Sequence, residues 1–162
     1  GEAARGPSDR TDLNLVVAAV ASQNEPAAER KEVKLSLELT ENLPRAKADA
    51  GHVYQALTNY VSNAIKFLPT GGAITIRTTA TELALRAEVQ DNGPGVPAAE
   101  RAALFTEYAR LSNRPTGGEE STGLGLSIVK QLVESEGGRI GADFPTGGGS
   151  VFWFELPVAP GA

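Results

Sequence analysis

The apolar residues Leu13, Val16, Val17 and Val20 recur at the three- and four-residue spacing of one helix face. Thr11 stands in a capping position ahead of them, so the pattern predicts a helix from there to about Arg30. The period then changes. Val33, Leu35, Leu37 and Leu39 alternate with Lys34, Ser36 and Glu38, as in a half-buried strand, and Asn42-Leu43-Pro44 ends the run. Asp49 can cap a second helix reaching about Leu68, with Val53, Leu57, Tyr60, Val61, Ala64 and Ile65 as its apolar stripe. Its opposite face stacks Gln55, Asn59, Asn63 and Lys66 one turn apart.

Pro69-Thr70-Gly71-Gly72 reads as a turn. Ile74 and Ile76, then Leu83, Leu85, Ala87 and Val89, alternate with polar residues and predict two adjacent antiparallel strands. Asp91-Asn92-Gly93-Pro94-Gly95 breaks the second strand, and Pro97 opens a short helix toward Phe105. From Thr106 to Thr122 the pattern is aperiodic, with Pro115, Gly117 and Gly118, and reads as a mobile loop. Gly123-Leu124-Gly125 begins a third long helix, with Leu124, Ile128 and Leu132, joined by Val129 and Val133, on its buried side and Gly137-Gly138 at its end. Arg139 to Phe144 and Val151 to Leu156 complete the strands. The sum is an α+β fold, a two-layer α/β sandwich in which a mixed sheet of about five strands is covered on one face by about three helices.

Composition narrows the function. A chain of 162 residues with 41% hydrophobic and 22% charged residues is expected to form one ordinary domain. Its net charge of -5, without clustered Lys and Arg, excludes a dedicated nucleic-acid binder and gives no support for direct membrane contact. The best apolar run, Leu13 to Ala21, contains Asn14 and falls short of the roughly 18 to 20 residues a bilayer requires. No signal peptide is visible, and the absence of cysteine excludes disulfides and fits a reducing cytoplasm. The chain lacks methionine and opens with Gly1-Glu2-Ala3, so it reads as a piece of something longer. The expected division is a polar tail over 1–10, one domain over 11–158 and a short tail over 159–162.

Three elements carry chemistry. The carboxamide oxygen of Asn63 is a neutral hard ligand suited to Mg²⁺, which takes most of its other oxygens from water and nucleotide phosphates, and Lys66 would add a point charge one turn on. A polar outer face is equally what a solvated helix presents. Asp91, at a strand end, can accept a hydrogen bond from the exocyclic amine of adenine, while Gly93 and Gly95 let backbone approach the ring; Asp-Asn-Gly is also an ordinary turn signal. Gly123 and Gly125 at a helix start expose backbone N–H groups that bind anions, a weak signal by itself. Together the three supply a metal ligand, a base reader and a phosphate cradle in one chain.

These segments closely resemble the catalytic domain of sensor histidine kinases, in the superfamily that also holds DNA gyrase, the Hsp90 chaperones and MutL. Asn59-Tyr60-Val61-Ser62-Asn63-Ala64-Ile65-Lys66-Phe67 resembles the family's N box, Asp91-Asn92-Gly93-Pro94-Gly95 its G1 box, and the run from Ser121 to Val129 its G2 box. The resemblance covers roughly residues 12 to 157 and implies a Bergerat ATP-binding fold with ATP between the asparagine helix and a lid. It implies Mg²⁺ on Asn63, adenine on Asp91 with Phe67 near the base, and phosphates on Lys66 and the Thr122-Gly123-Leu124-Gly125-Leu126 segment. The implied activity is that of a two-component signalling transferase, passing the γ-phosphoryl group to a histidine on a dimerisation domain outside this chain and thence, indirectly, to a response regulator. The implied location is cytoplasmic, with a parent protein that can be membrane-anchored.

Two departures stand out. In the F box, Phe105-Thr106-Glu107-Tyr108-Ala109-Arg110 has Thr106 and Glu107 where the family commonly has Glu and Pro, and Ser121 replaces a frequent glycine of the G2 box. Four residues before Asn63, ATP-hydrolysing members and the related serine kinases place a glutamate as general base, whereas this chain has Asn59. An amide cannot take a proton from water or serine at neutral pH, but a neutral imidazole already has a free lone pair, so histidine is the expected acceptor. The one histidine, His52, lacks the context of a phosphoacceptor and reads as an exposed first-turn residue. The competing reading is a non-catalytic scaffold of the same fold that binds nucleotide or senses a partner.

Overall fold

The structure is a computed structural model that describes residues 10–106 and 124–161. Its elements are β1 (Arg10–Thr11), α1 (Leu13–Arg30), β2 (Lys34–Glu38), β3 (Ala46–Lys47), α2 (Ala50–Phe67), β4 (Ala73–Ala80), β5 (Ala84–Asp91), α3 (Ala98–Arg101), α4 (Leu124–Ser135), β6 (Arg139–Asp143) and β7 (Ser150–Pro157). Five strands form one mixed sheet in the order β2-β4-β5-β7-β6, with β2 parallel to β4 and the other neighbours antiparallel. The α+β sandwich expected from the periodicities is the observed architecture. The aperiodic segment read as a mobile loop lies almost wholly outside the described residues.

Alternation explains the two sheet faces. Ile74, Ile76, Leu85, Ala87, Val89, Phe154 and Leu156 are buried beneath the helices with Leu13, Val17, Leu57, Val61 and Val129. Apart from Ala87, each of these side chains contributes about 1.5–3 kcal/mol by leaving water. The other face carries an ionic lattice instead. Arg77 meets Glu38 and Glu88, Arg86 meets Glu88, Glu155 and Asp143, and Arg139 meets Glu155. Within it the Arg86 guanidinium lies 4.2 Å from the centre of the Trp153 ring, and a Cβ at Gly141 would overlap that ring.

Several local expectations change. The cap of α1 is Asp12, whose side chain accepts from the Leu15 N–H; Thr11 instead pairs with Ala46 and donates its hydroxyl to the Ala48 carbonyl. Leu37 is 41% exposed because β2 is an edge strand that the helices cover only in part. Leu83, 83% exposed, lies outside β5, in the turn where Thr81 bonds back to Ala84. Pro97 precedes α3, which is one turn long; its chain then turns to Phe105. On α4 the buried side is Leu126, Val129 and Val133, with Ile128 and Leu132 half-buried, because α4 lies against α2 and β6 at once. The two ends of the described residues meet: Arg10 pairs with Lys47 and donates to the Pro160 carbonyl, and buried Ala159 donates to Arg45.

Candidate nucleotide-binding site

The asparagine helix forms as the sequence predicts. Asp49 caps α2 by accepting from the His52 N–H, and all six stripe residues are buried, which turns Asn59, Asn63, Lys66 and Phe67 toward a half-buried margin. That margin faces the first turn of α4. Asn59 donates through Nδ2 to the Gly125 carbonyl at 3.4 Å. A Cβ at Gly125 would stand 3.3 Å from Asn63 Nδ2 and 3.8 Å from its Oδ1, so glycine here leaves the Asn63 carboxamide uncovered. Leu126 buries its side chain, so what it can offer an anion is its backbone N–H. Thr122 and Gly123 lie outside the described residues, and Leu124 opens α4.

Asp91 is the last residue of β5. Its Oδ1 accepts from the Gly93 N–H at 2.9 Å, and the Ser150 N–H, from the partner strand, is a second donor to the carboxylate. Burial pushes the Asp91 carboxyl above the ordinary aspartate range, and these two backbone donors pull against that shift. The turn after it is fastened to β4, where Asn92 exchanges hydrogen bonds with Ala73 through its side chain and its N–H. Leu68, which ends α2, fills the space beneath: a Cβ on Gly93 would come within 3.0 Å of its Cδ2. Gly95 and Gly149 both have positive φ, +74° and +85°; a Cβ on Gly95 would stand 3.1 Å from the Gly149 carbonyl oxygen, and one on Gly149 would overlap the Asp91 carbonyl.

Sequence reasoning missed the contribution of Ser150 and Gly149. The glycine run 147–149 before β7 is the available signal. An aromatic cluster also went unnoticed. Phe152 meets Tyr60, Phe105 and Phe144 with ring centres 5.6–6.3 Å apart, and Arg101 stacks 4.3 Å over Phe144 while donating to the Val96 carbonyl. The first aromatic of the altered F box is thus anchored on β7, whereas Tyr108 and Arg110 lie outside the described residues. Tyr60, its hydroxyl raised in pKa by burial, donates to the Trp153 carbonyl and ties α2 to the sheet.

His52 departs from its expected setting. Its Nδ1 pairs at 2.5 Å with Glu136, whose side chain is 1% exposed, so it joins the start of α2 to the end of α4. Nothing in that setting marks it as a phosphoacceptor. Among the described residues no three His, Asp or Glu side chains gather as an all-protein metal cage would require. A cation held by Asn63 would therefore draw its remaining oxygens from phosphate and water, as Mg²⁺ does.

Comparison with known proteins agrees with this geometry. Residues 48–160 match the family described as histidine kinase-, DNA gyrase B-, and HSP90-like ATPase. The chain is 36% identical over 169 residues to the sensory/regulatory protein RpfC of Xanthomonas campestris pv. campestris, covering 99% of this chain and 23% of that one. It is similar to the nucleotide-free catalytic domain of the histidine kinase ThkA, with a TM-score of 0.81, 27% identity and coverage of 93% and 97%. Full-length ShkA in complex with AMPPNP aligns with a TM-score of 0.80 and 32% identity, covering 94% of this chain and 31% of that one. The chain spans less than a quarter of the length of RpfC.

Proposed function

Since the chain belongs to the histidine kinase-, DNA gyrase B- and HSP90-like ATPase family and is built as the catalytic ATPase domain of a sensor histidine kinase, we propose that it binds Mg·ATP between α2 and α4 and passes the γ-phosphoryl group to a histidine on another domain. The observation that carries this is the meeting of Asn63 with the glycine start of α4, in a fold that also holds the half-buried Asp91 carboxylate at the end of β5. That ShkA, which shares this fold, forms a complex with AMPPNP supports nucleotide as the ligand. We assign the domain to residues 11–158 and its reaction to the cytoplasm; among the described residues no helix is long and apolar enough to cross a membrane.

The roles follow from the donor chemistry. The ionised Asp91 carboxylate accepts from the adenine amine, and Gly93 and Gly95 admit the ring while Phe67 flanks it. Asn63 would hold Mg²⁺ through its carboxamide oxygen, and the ion would supply charge neutralisation on the phosphates. Lys66 and the N–H groups from Thr122 through Leu126 hold phosphate oxygens. Asn59 has no proton-accepting nitrogen or carboxylate. One of its amide N–H groups donates to the Gly125 carbonyl and braces α4, while the carboxamide oxygen and second N–H serve the nucleotide beside Asn63 without activating a water. Catalysis then rests on positioning and charge, and an imidazole nucleophile from the dimerisation domain completes the reaction. A response regulator receives the group indirectly.

Labelled ATP and Mg²⁺ mixed with this chain and the parent's histidine domain should yield phosphohistidine on that domain alone, with no label on this chain by itself. Asn63→Ala should abolish the transfer. Tight ATP binding without transfer would instead identify a scaffold, and steady phosphate release by the isolated chain would identify an ATPase.

A further inference from the structure

Lys31, just beyond α1, is a lysine only 8% exposed. Its ammonium reaches across to α2 and donates to the carbonyls of Ile65 at 2.6 Å and Lys66 at 2.9 Å. The last carbonyls of a helix have no partner inside it, and many helices supply one through a left-handed glycine or asparagine just past the end. α2 has no such cap: Leu68 is extended, at φ -78° and ψ 140°, and Pro69 follows. The backbone carbonyl of Lys31 also accepts from the Gly71 N–H, and Lys34 donates to Gly72. The turn after α1 therefore clasps the end of α2 and the turn beyond it from two sides. Glu32, within that turn, sits at φ +58°, a conformation that costs a non-glycine residue energy and persists only where its surroundings hold it.

Lys66 and Phe67 lie on the turn of α2 that Lys31 secures. Resting on the nucleotide reading above, the geometry points to Lys31 as a positioning residue for ATP, acting through the last turn of α2 without touching the ligand. Residue 31 precedes the segment 48–160 that matches the family, so this role belongs to the α1 portion of the chain. A positive charge at the negative end of α2 suits that task, and its loss lets the turn that carries Lys66 and Phe67 fray.

The test is the dissociation constant for Mg·ATP, measured by calorimetry well below the melting temperature, for the unmodified chain, Lys31→Met, Lys31→Arg and Val17→Ala. Methionine keeps the volume and removes the donors; Val17→Ala opens a cavity elsewhere on α1 and serves as the control for lost stability. Lys31→Met should weaken binding about tenfold, the scale typical of supporting groups behind a ligand site. Lys31→Arg should restore most of it and Val17→Ala should leave it unchanged. Parental affinity in Lys31→Met, or equal weakening in Val17→Ala, overturns the inference. If Lys31→Met does not fold, Lys31→Gln, which keeps one donor arm, is measured instead: weakened binding supports the role and parental binding overturns it. An unmodified chain that binds no nucleotide overturns the proposed function and this inference with it.

Discussion

At the residue scale, Asp91 carries two opposed demands. Burial raises its pKa in the fold, so the folded chain holds that proton more tightly than the unfolded chain does. The resulting stability is fully present below the ordinary aspartate value and is lost as pH rises through the raised value. Nucleotide affinity should move the other way across the same window, because the ionised carboxylate is the stronger acceptor for the adenine amine. Asp91→Asn should remove this component from urea midpoints measured across that window. It should also weaken ATP binding by about 100-fold at neutral pH, since the site is built to accept from the base. The carboxylate was legible in the sequence as a strand-end acidic residue among glycines. Its second donor was not, because Ser150 lies far along the chain and reaches Asp91 only through the β5–β7 pairing.

At the element scale, what was legible is what is local. The stripe and polar face of α2 and its Asp49 cap all fall within one helix, and each was read correctly. The buried side of α4 was not settled locally, since Ile128 and Leu132 lie beside Val129 and Val133 and only the positions of α2 and β6 decide between them. Lys31 shows the same limit, its two acceptors lying on another helix. α1 runs unbroken through Pro26, an exposed residue that has no N–H for the helix ladder. Pro26→Ala should therefore stabilise the chain by about 1–3 kcal/mol, read as a higher urea midpoint with an unchanged slope. The short bond between His52 and Glu136 works at this scale too. His52→Ala should cost about 1–3 kcal/mol by leaving a buried carboxylate without that partner, measured by the same unfolding curves.

At the scale of the whole molecule, the sheet separates two surfaces with different tasks. Helices and the candidate site occupy one face, and paired charges line the other. The second face sets three arginines against four carboxylates at close range, so the pairs largely cancel and leave only a small negative excess to meet a charged partner. Trp153 stands on that face under Arg86, and it is the only tryptophan in the chain. Its indole is consequently a built-in optical gauge for the sheet, isolated from the helix side by the strand that carries it. Emission excited at the indole band should stay constant while ATP fills the site and shift to longer wavelength when urea opens the β5–β7–β6 ladder, so one cuvette separates loss of ligand from loss of fold.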